Sequence, residues 1–178
     1  MRQIFLISGE AEHGKDSTAR ILKDNLYGNS LIIHFADYLK YIAKEYMGWN
    51  GLKDIEGRTL LQKLGTEKVR MQLKWPLYWV ERVCDVIQIL ENDYDYILVP
   101  DLRYINELHY PIAKFPKKVT SIRVKRLNFE NCLTPEQRNH ISETELADYP
   151  HDYYIESPSG LDHLEESVKD FIYSYYHT

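Results

Sequence analysis

The sequence predicts a three-layer α/β/α fold, with about five parallel strands in one sheet and helices on both faces. Three observations carry that expectation. Short unbroken apolar runs, above all at 4–7 and 96–99, read as strands buried on both sides. Stretches of helical period lie between such runs, and this alternation favours crossovers and a parallel sheet. No repeat, low-complexity tract or linker interrupts the 178 residues, so a single domain over 1–178 is expected.

Ile4-Phe5-Leu6-Ile7 is the first strand and ends in Ser8-Gly9. A helix over 15–27 follows, with Ala19, Leu22 and Leu26 on one face and Gly28 as its stop. Residues 31–35 read as the second strand and 36–46 as the second helix. Helices over 58–72 and 77–90 are separated by Pro76. Tyr96 to Val99 form the third strand, and Pro100 suits its end because it cannot donate to a ladder. A short helix starts near Asn106 and is limited or kinked by Pro111. Residues 119–124 are the fourth strand. The polar, aperiodic stretch 127–150 reads as a loop or short helical flap, a lid, and 153–155 as a brief fifth strand. The last helix carries one stripe of Leu161, Leu164, Val168, Phe171, Ile172 and Tyr175.

With 22 Lys and Arg against 27 Asp and Glu, the net charge is −5, which argues against coating a long nucleic acid or an anionic membrane. It also sits badly with a polyphosphate ligand. Position resolves the tension: residues 143–178 hold 9 acidic and 1 basic residue, leaving 21 basic and 18 acidic in residues 1–142, a net of +3. The acidic end is expected to lie away from the site. No apolar run approaches the roughly 20 residues of a membrane span. Residues 1–8 are too short for a signal sequence. Cys84 and Cys132 form neither a metal spacing nor a disulfide framework. These features predict a reduced, cytoplasmic protein.

The chemistry begins directly after the first strand. Gly9-Glu10-Ala11-Glu12-His13-Gly14-Lys15 is G-x4-G-K between a buried strand and a helix. Gly9 and Gly14 allow positive φ, so successive N–H groups can turn toward an anion. The helix start adds partial positive charge, and Lys15 reaches toward β- and γ-phosphates. The expected nucleotide-binding set is Gly9, His13, Gly14, Lys15, Asp16, Ser17 and Thr18. Asp16 stands where a magnesium-binding Ser or Thr is usual. It either ligates the metal itself or caps the helix while Ser17 serves the metal. The Glu10 and Glu12 carboxylates are expected to point outward to solvent, since inward they would oppose phosphate.

The run Gly14-Lys15-Asp16-Ser17-Thr18-Ala19 resembles the phosphate loop of phage-type deoxynucleoside monophosphate kinases, within the P-loop nucleotide kinase superfamily. Further segments match in the same order: Phe35-Ala36-Asp37 with Lys40, 61–67, Tyr78-Trp79-Val80, 96–103, and His140-Ile141-Ser142-Glu143. The resemblance implies ATP and Mg2+ as cosubstrates and phosphoryl transfer to a deoxynucleoside monophosphate, with a second copy of the chain left open as a partner. Another small-molecule acceptor (dephospho-coenzyme A, a phosphorylated alcohol or a ribonucleotide) on the same scaffold stays open, as does a nucleotide sensor whose catalysis has lapsed.

It also implies roles. Lys15, Asp101, Arg103, Arg126 and Arg138 are the expected catalytic residues. Asp101 follows the third strand, where it organises magnesium with Asp16 and Ser17, or contacts the acceptor, or simply caps a turn. Arg103 suits bidentate phosphate contact, and Glu107, four residues on, either orients it or is a plain surface partner. Asp37, Lys40, Arg58, Gln62, Gly65 and Thr66 are expected on the acceptor side, Arg58 and Gln62 as i, i+4 neighbours, with Asp37 and Lys40 otherwise a cap and a solvent charge. Gly65 within a helix implies close approach of a ligand or a neighbouring helix. Trp79 either stacks on the base or packs. Lys125-Arg126 and Arg138 are either where the flap closes over the γ-phosphate or an ordinary solvated basic stretch.

Overall fold

The computed structural model describes residues 1–177. Its strands are β1 (Gln3–Ser8), β2 (Ser30–Ile32), β3 (Tyr96–Val99), β4 (Val119–Arg126) and β5 (Tyr153–Ser157). They form one parallel sheet in the order β2-β3-β1-β4-β5, with β1 at its centre. The helices are α1 (Lys15–Asn25), α2 (Asp37–Met47), α3 (Ile55–Gln62), α4 (Tyr78–Leu90), α5 (Ile105–Lys114), α6 (Pro135–Arg138), α7 (Ile141–Thr144) and α8 (Leu161–His177). α3 runs directly into a π-helix over Lys63–Gln72. The three-layer α/β/α arrangement is the one the sequence predicts.

The pleat sends alternate residues of β1 to opposite faces. Phe5 and Ile7 join Leu22 of α1 and Val168 and Phe171 of α8. Ile4 and Leu6 join Val80, Cys84 and Ile87 of α4 and Leu108 of α5. All four β1 side chains are fully buried, each worth about 1.5–3 kcal/mol of transfer from water. That explains why the strand has no polar alternation. A third cluster, Leu39 and Ala43 of α2 with Leu64, Val69 and Trp79, forms a lobe beside the sheet edge.

Four boundaries depart from expectation. β2 stops at Ile32, not 35, because side chains take over its backbone donors. His34 N–H donates to Asp37 at 2.8 Å, and Phe35 and Ala36 N–H donate to Asp101 at 2.9 and 3.0 Å. β4 continues to Arg126 because β5 pairs with it as far as Ser157. The helix expected from 58 begins at Ile55, where Asp54 caps it by accepting from Gly57 N–H at 2.8 Å. α5 passes through Pro111 to Lys114, and the terminal Phe115 N–H donates to the Pro111 carbonyl at 2.8 Å. In the flap, Thr134 and His140 cap the single-turn helices α6 and α7. Among the described residues no helix is long and apolar enough to cross a membrane.

Candidate functional site

Because all strands are parallel, their carboxyl ends share one edge, and the loops leaving β1, β2 and β3 meet there. Between them and the α2–π-helix lobe lies a cleft of about 340 Å³. The flap closes its rim through Leu133, Ser142 and Glu143.

The loop 9–14 forms the inner wall. Gly9 has φ +143°, and a Cβ there would stand 2.4 Å from the Val124 carbonyl oxygen, so no side chain fits. Gly14 has φ +93° where the loop turns into α1. Lys15 folds back beneath the loop, its Nζ donating to the Gly9 and Glu10 carbonyls at 2.7 and 2.6 Å. Burial pulls its pKa from 10.5 to about 7, reinforced by the nearby charge of Arg103. A buried cationic group in a glycine-rich turn at a helix start is chemistry suited to an anion.

The other loop residues divide. Asp16 lines the cleft. His13 lies outside it, its Nδ1 accepting from Arg126 N–H at 3.1 Å and its ring edge-on to Phe129. Ser17 is half-buried and Thr18 fully buried on α1, also outside the lining. Glu10 faces out toward Asn131. Glu12 does not: it lines the cleft, where Arg58 neutralises it at 3.1 Å and the Cys132 thiol donates to it at 2.8 Å. The outward expectation fails for Glu12 because α3, absent from any local reading of the loop, brings a cation to it.

Beside the loop, His34 joins Asp16 at 3.1 Å to Asp37 at 3.4 Å, and Lys40 reaches Asp37 at 3.5 Å. Burial opposes a charge on His34, but hydrogen bonds to both aspartates outweigh it and raise its pKa to about 9. The same bond lowers Asp16 to about 2. Lys40 lines the cleft; Asp37 does not, and reaches it only through its contacts with His34 and Lys40. Asp101 sits at the end of β3, each of its oxygens holding one N–H group ahead of α2. It is therefore a bracket between two strand ends as well as a cleft carboxylate. Among the described residues, no three His, Cys, Asp or Glu side chains converge as a metal-binding group.

Three arginines enter the cleft, each with a carboxylate. Arg58 meets Glu12. Arg103 meets Glu143 of the flap and also donates to the Ser142 carbonyl at 3.0 Å. Arg70 meets Glu107 at 2.5 Å, donates to the Gly65 carbonyl at 3.1 Å and lies 3.9 Å above the Tyr104 ring. Glu107 is buried, not a surface partner, and holds the backbone N–H of Arg103 and Tyr104 rather than the Arg103 guanidinium. Burial raises its pKa to about 7 even with Arg70 pulling the other way.

Gln62, Gly65, Thr66 and Trp79 all line the cleft. Gly65 answers a neighbouring helix, since a Cβ would stand 3.0 Å from Leu39 of α2. Trp79 packs: it is 2% exposed and donates to the Gly65 carbonyl at 3.0 Å. Thr66 shares a 2.5 Å hydrogen bond with the Tyr104 hydroxyl. Arg126 and Arg138 are not brought in. Arg126 stacks over Phe129 and donates to Ser159, and Arg138 donates to the Asn131 carbonyl, both outside the cleft.

Sequence reasoning missed Arg70, His34, Tyr104 and Glu143. Arg70 follows Gly65 by five residues, a spacing that an α-helix would turn to another face but an i→i+5 π-turn brings back. Nothing local signals that turn. The acidic end lies away from the cleft with one exception: Glu143, its first residue, lines the cleft and meets Arg103, whereas no later residue lines it and the acidic α8 packs with α1 on one face of the sheet.

No family model matches the sequence, and no curated protein matches it. The sheet order and the glycine loop between β1 and α1 are those of a P-loop-like α/β/α fold.

Proposed function

We propose that the protein is an ATP-dependent phosphotransferase acting on a deoxynucleoside 5′-monophosphate. The observation that carries this reading is Lys15: a buried amine, cradled by a G-x4-G-K loop, opening into the same cleft as Arg58 and Arg103. The resemblance of the ordered acceptor-side segments supplies the monophosphate acceptor.

The chemistry asks little of a base. An acceptor phosphate oxygen, anionic near neutral pH, attacks the γ-phosphorus of ATP. A new P–O bond forms, the bond to the β,γ-bridging oxygen breaks, and ADP leaves. Catalysis is alignment and charge neutralisation. Lys15 offsets charge on the donor phosphates. Arg58 and Arg103, held by Glu12 of the loop and Glu143 of the flap, exchange those partners for the acceptor phosphate. Leu133 and the α7 turn shield the reacting groups from water.

Asp16 and Asp101 offer hard oxygen donors at the cleft, which fits magnesium arriving on a nucleotide, where one or two carboxylates suffice; Ser17 lies outside the lining. Such an ion would supply charge neutralisation on the phosphates. A free-nucleotide substrate accords with work inside the cell.

The test is ADP release with Mg-ATP across the common deoxy- and ribonucleoside monophosphates, dephospho-coenzyme A and phosphorylated alcohols. A deoxynucleotide is expected to be turned over fastest, and Lys15→Ala is expected to abolish turnover in a folded protein. Turnover of none, with ATP bound, would instead favour a sensor, a reading to which the Glu12 carboxylate in the cleft lends support.

A further inference from the structure

The cationic side chains of the cleft fall into two groups. Lys15, Arg58 and Arg103 have partners that come from the loop or the flap. Arg70 instead contacts Tyr104, Glu107 and the Gly65 carbonyl, to which Trp79 also donates and beside which Leu39 packs.

Arg70 is unlike the other two arginines. Its side chain is 11% exposed against 24% for Arg58 and 28% for Arg103. Its charge is already matched by Glu107, which is itself 3% exposed and tied to two backbone N–H groups. The pair adds no net charge with which to attract a phosphate. What it adds is a plane. Nη2 is fixed on Glu107, Nη1 on the Gly65 carbonyl, and the guanidinium lies 3.9 Å from the Tyr104 ring centre. The Tyr104 ring is in turn pinned through its hydroxyl to Thr66. Arg70 lines the cleft, and with one face on Tyr104 a planar ligand there would stack on the other. A π-helix of ten residues is rare and such segments concentrate at functional sites. Here it places Gly65, Thr66 and Arg70 on one wall.

We infer that Arg70, flattened on Tyr104 and held by Glu107, is the platform on which the nucleobase of the acceptor stacks, with Gln62 at the base edge. This rests on reading the cleft as an acceptor site and sets the direction in which the acceptor lies: base toward Arg70, phosphate toward Arg103 and Lys15. Guanidinium planes stack well on bases, and lysine, with the same charge, does not.

Calorimetry on the full chain tests it, titrating each of the four 2′-deoxynucleoside 5′-monophosphates and, as an abasic acceptor, 2-deoxyribose 5-phosphate. Wild type is expected to bind at least one nucleotide about tenfold more tightly than the sugar phosphate, as one stacked base gives. Arg70→Lys keeps a charge beside Glu107 and is expected to bring that ratio below about threefold, with sugar-phosphate affinity unchanged. Should Arg70→Lys unfold, the double variant Arg70→Met with Glu107→Leu replaces the ion pair by apolar groups and is expected to give the same loss of ratio. Equal loss for nucleotide and sugar phosphate would make Arg70 a phosphate contact and overturn the platform, as would an unchanged ratio. Wild type binding both ligands equally removes the platform but leaves the acceptor site. Binding neither removes both.

Discussion

Arg70 of the π-helix and Glu107 of α5 meet at 2.5 Å, 37 residues apart in sequence and both largely buried. An ion pair in such a place is costly to break from one side, because the survivor keeps its charge without its partner. Arg70→Met is expected to destabilise the protein by about 3–5 kcal/mol, and Glu107→Gln, which keeps the shape and one of the two acceptor oxygens, by less. Denaturant titration of the two variants checks the order. Equal, small losses would mean that the pair holds nothing in place.

Lys15 makes donor binding depend on pH. Its amine is held near 7 by burial, and a bound polyphosphate would restore its charge. Below about 7 the amine is already protonated; above it, binding must take up a proton. ATP affinity is therefore expected to fall as pH rises from 7 to 9, approaching tenfold per unit, and Lys15→Ala is expected to flatten the profile. Calorimetry in buffers of different ionisation heat reads the proton uptake directly.

The Asp16–His34 contact acts on stability instead. The folded pKa of His34, about 9, lies above its ordinary 6.5, so its contribution is full below 6.5 and is lost as pH rises through 9. That of Asp16, about 2, lies below its ordinary 3.8, so its contribution is present above 3.8 and is lost as pH falls through 2. Stability from this contact is thus level between about pH 4 and 6.5. Thermal melts of wild type and His34→Gln are expected to converge as pH climbs past 9.

Gly9 tests the loop. Its φ of +143° costs about 1–3 kcal/mol for any other residue, and the added Cβ must also displace the Val124 carbonyl, 2.4 Å away. Gly9→Ala is expected to lower the melting temperature by several degrees and to loosen the Lys15 contacts with it. Gly48→Ala is the control: it shares a positive φ of +71° but meets nothing within 4 Å, so strain alone remains.

Much of the site is legible in the chain because it is local. The G-x4-G-K run needs only its own glycines and the strand and helix on either side, and both form where their periods place them. Asp101 and Arg103 follow from standing at the end of an apolar strand. Gln62 and Arg58 follow from helical spacing. The partners are another matter. Glu12 with Arg58, Arg103 with Glu143, and Asp16 with His34 lie 46, 40 and 18 residues apart. None of these pairings exists until the crossovers bring two elements to the same edge.

The sequence by itself determined the layer order, the buried first strand, the glycine loop and the gathering of functional groups at one end of the sheet. Periodicity and turn chemistry act over a few residues, and a parallel sheet converts them into a common edge. Only the tertiary structure decided that Glu12 faces the cleft, that Trp79 packs, that Arg126 and Arg138 stay outside, and that Arg70 enters. Those outcomes depend on which distant element supplies a counter-charge or a neighbouring ring, and on a π-turn that shifts one arginine onto the wall. Local spacing carries no record of either.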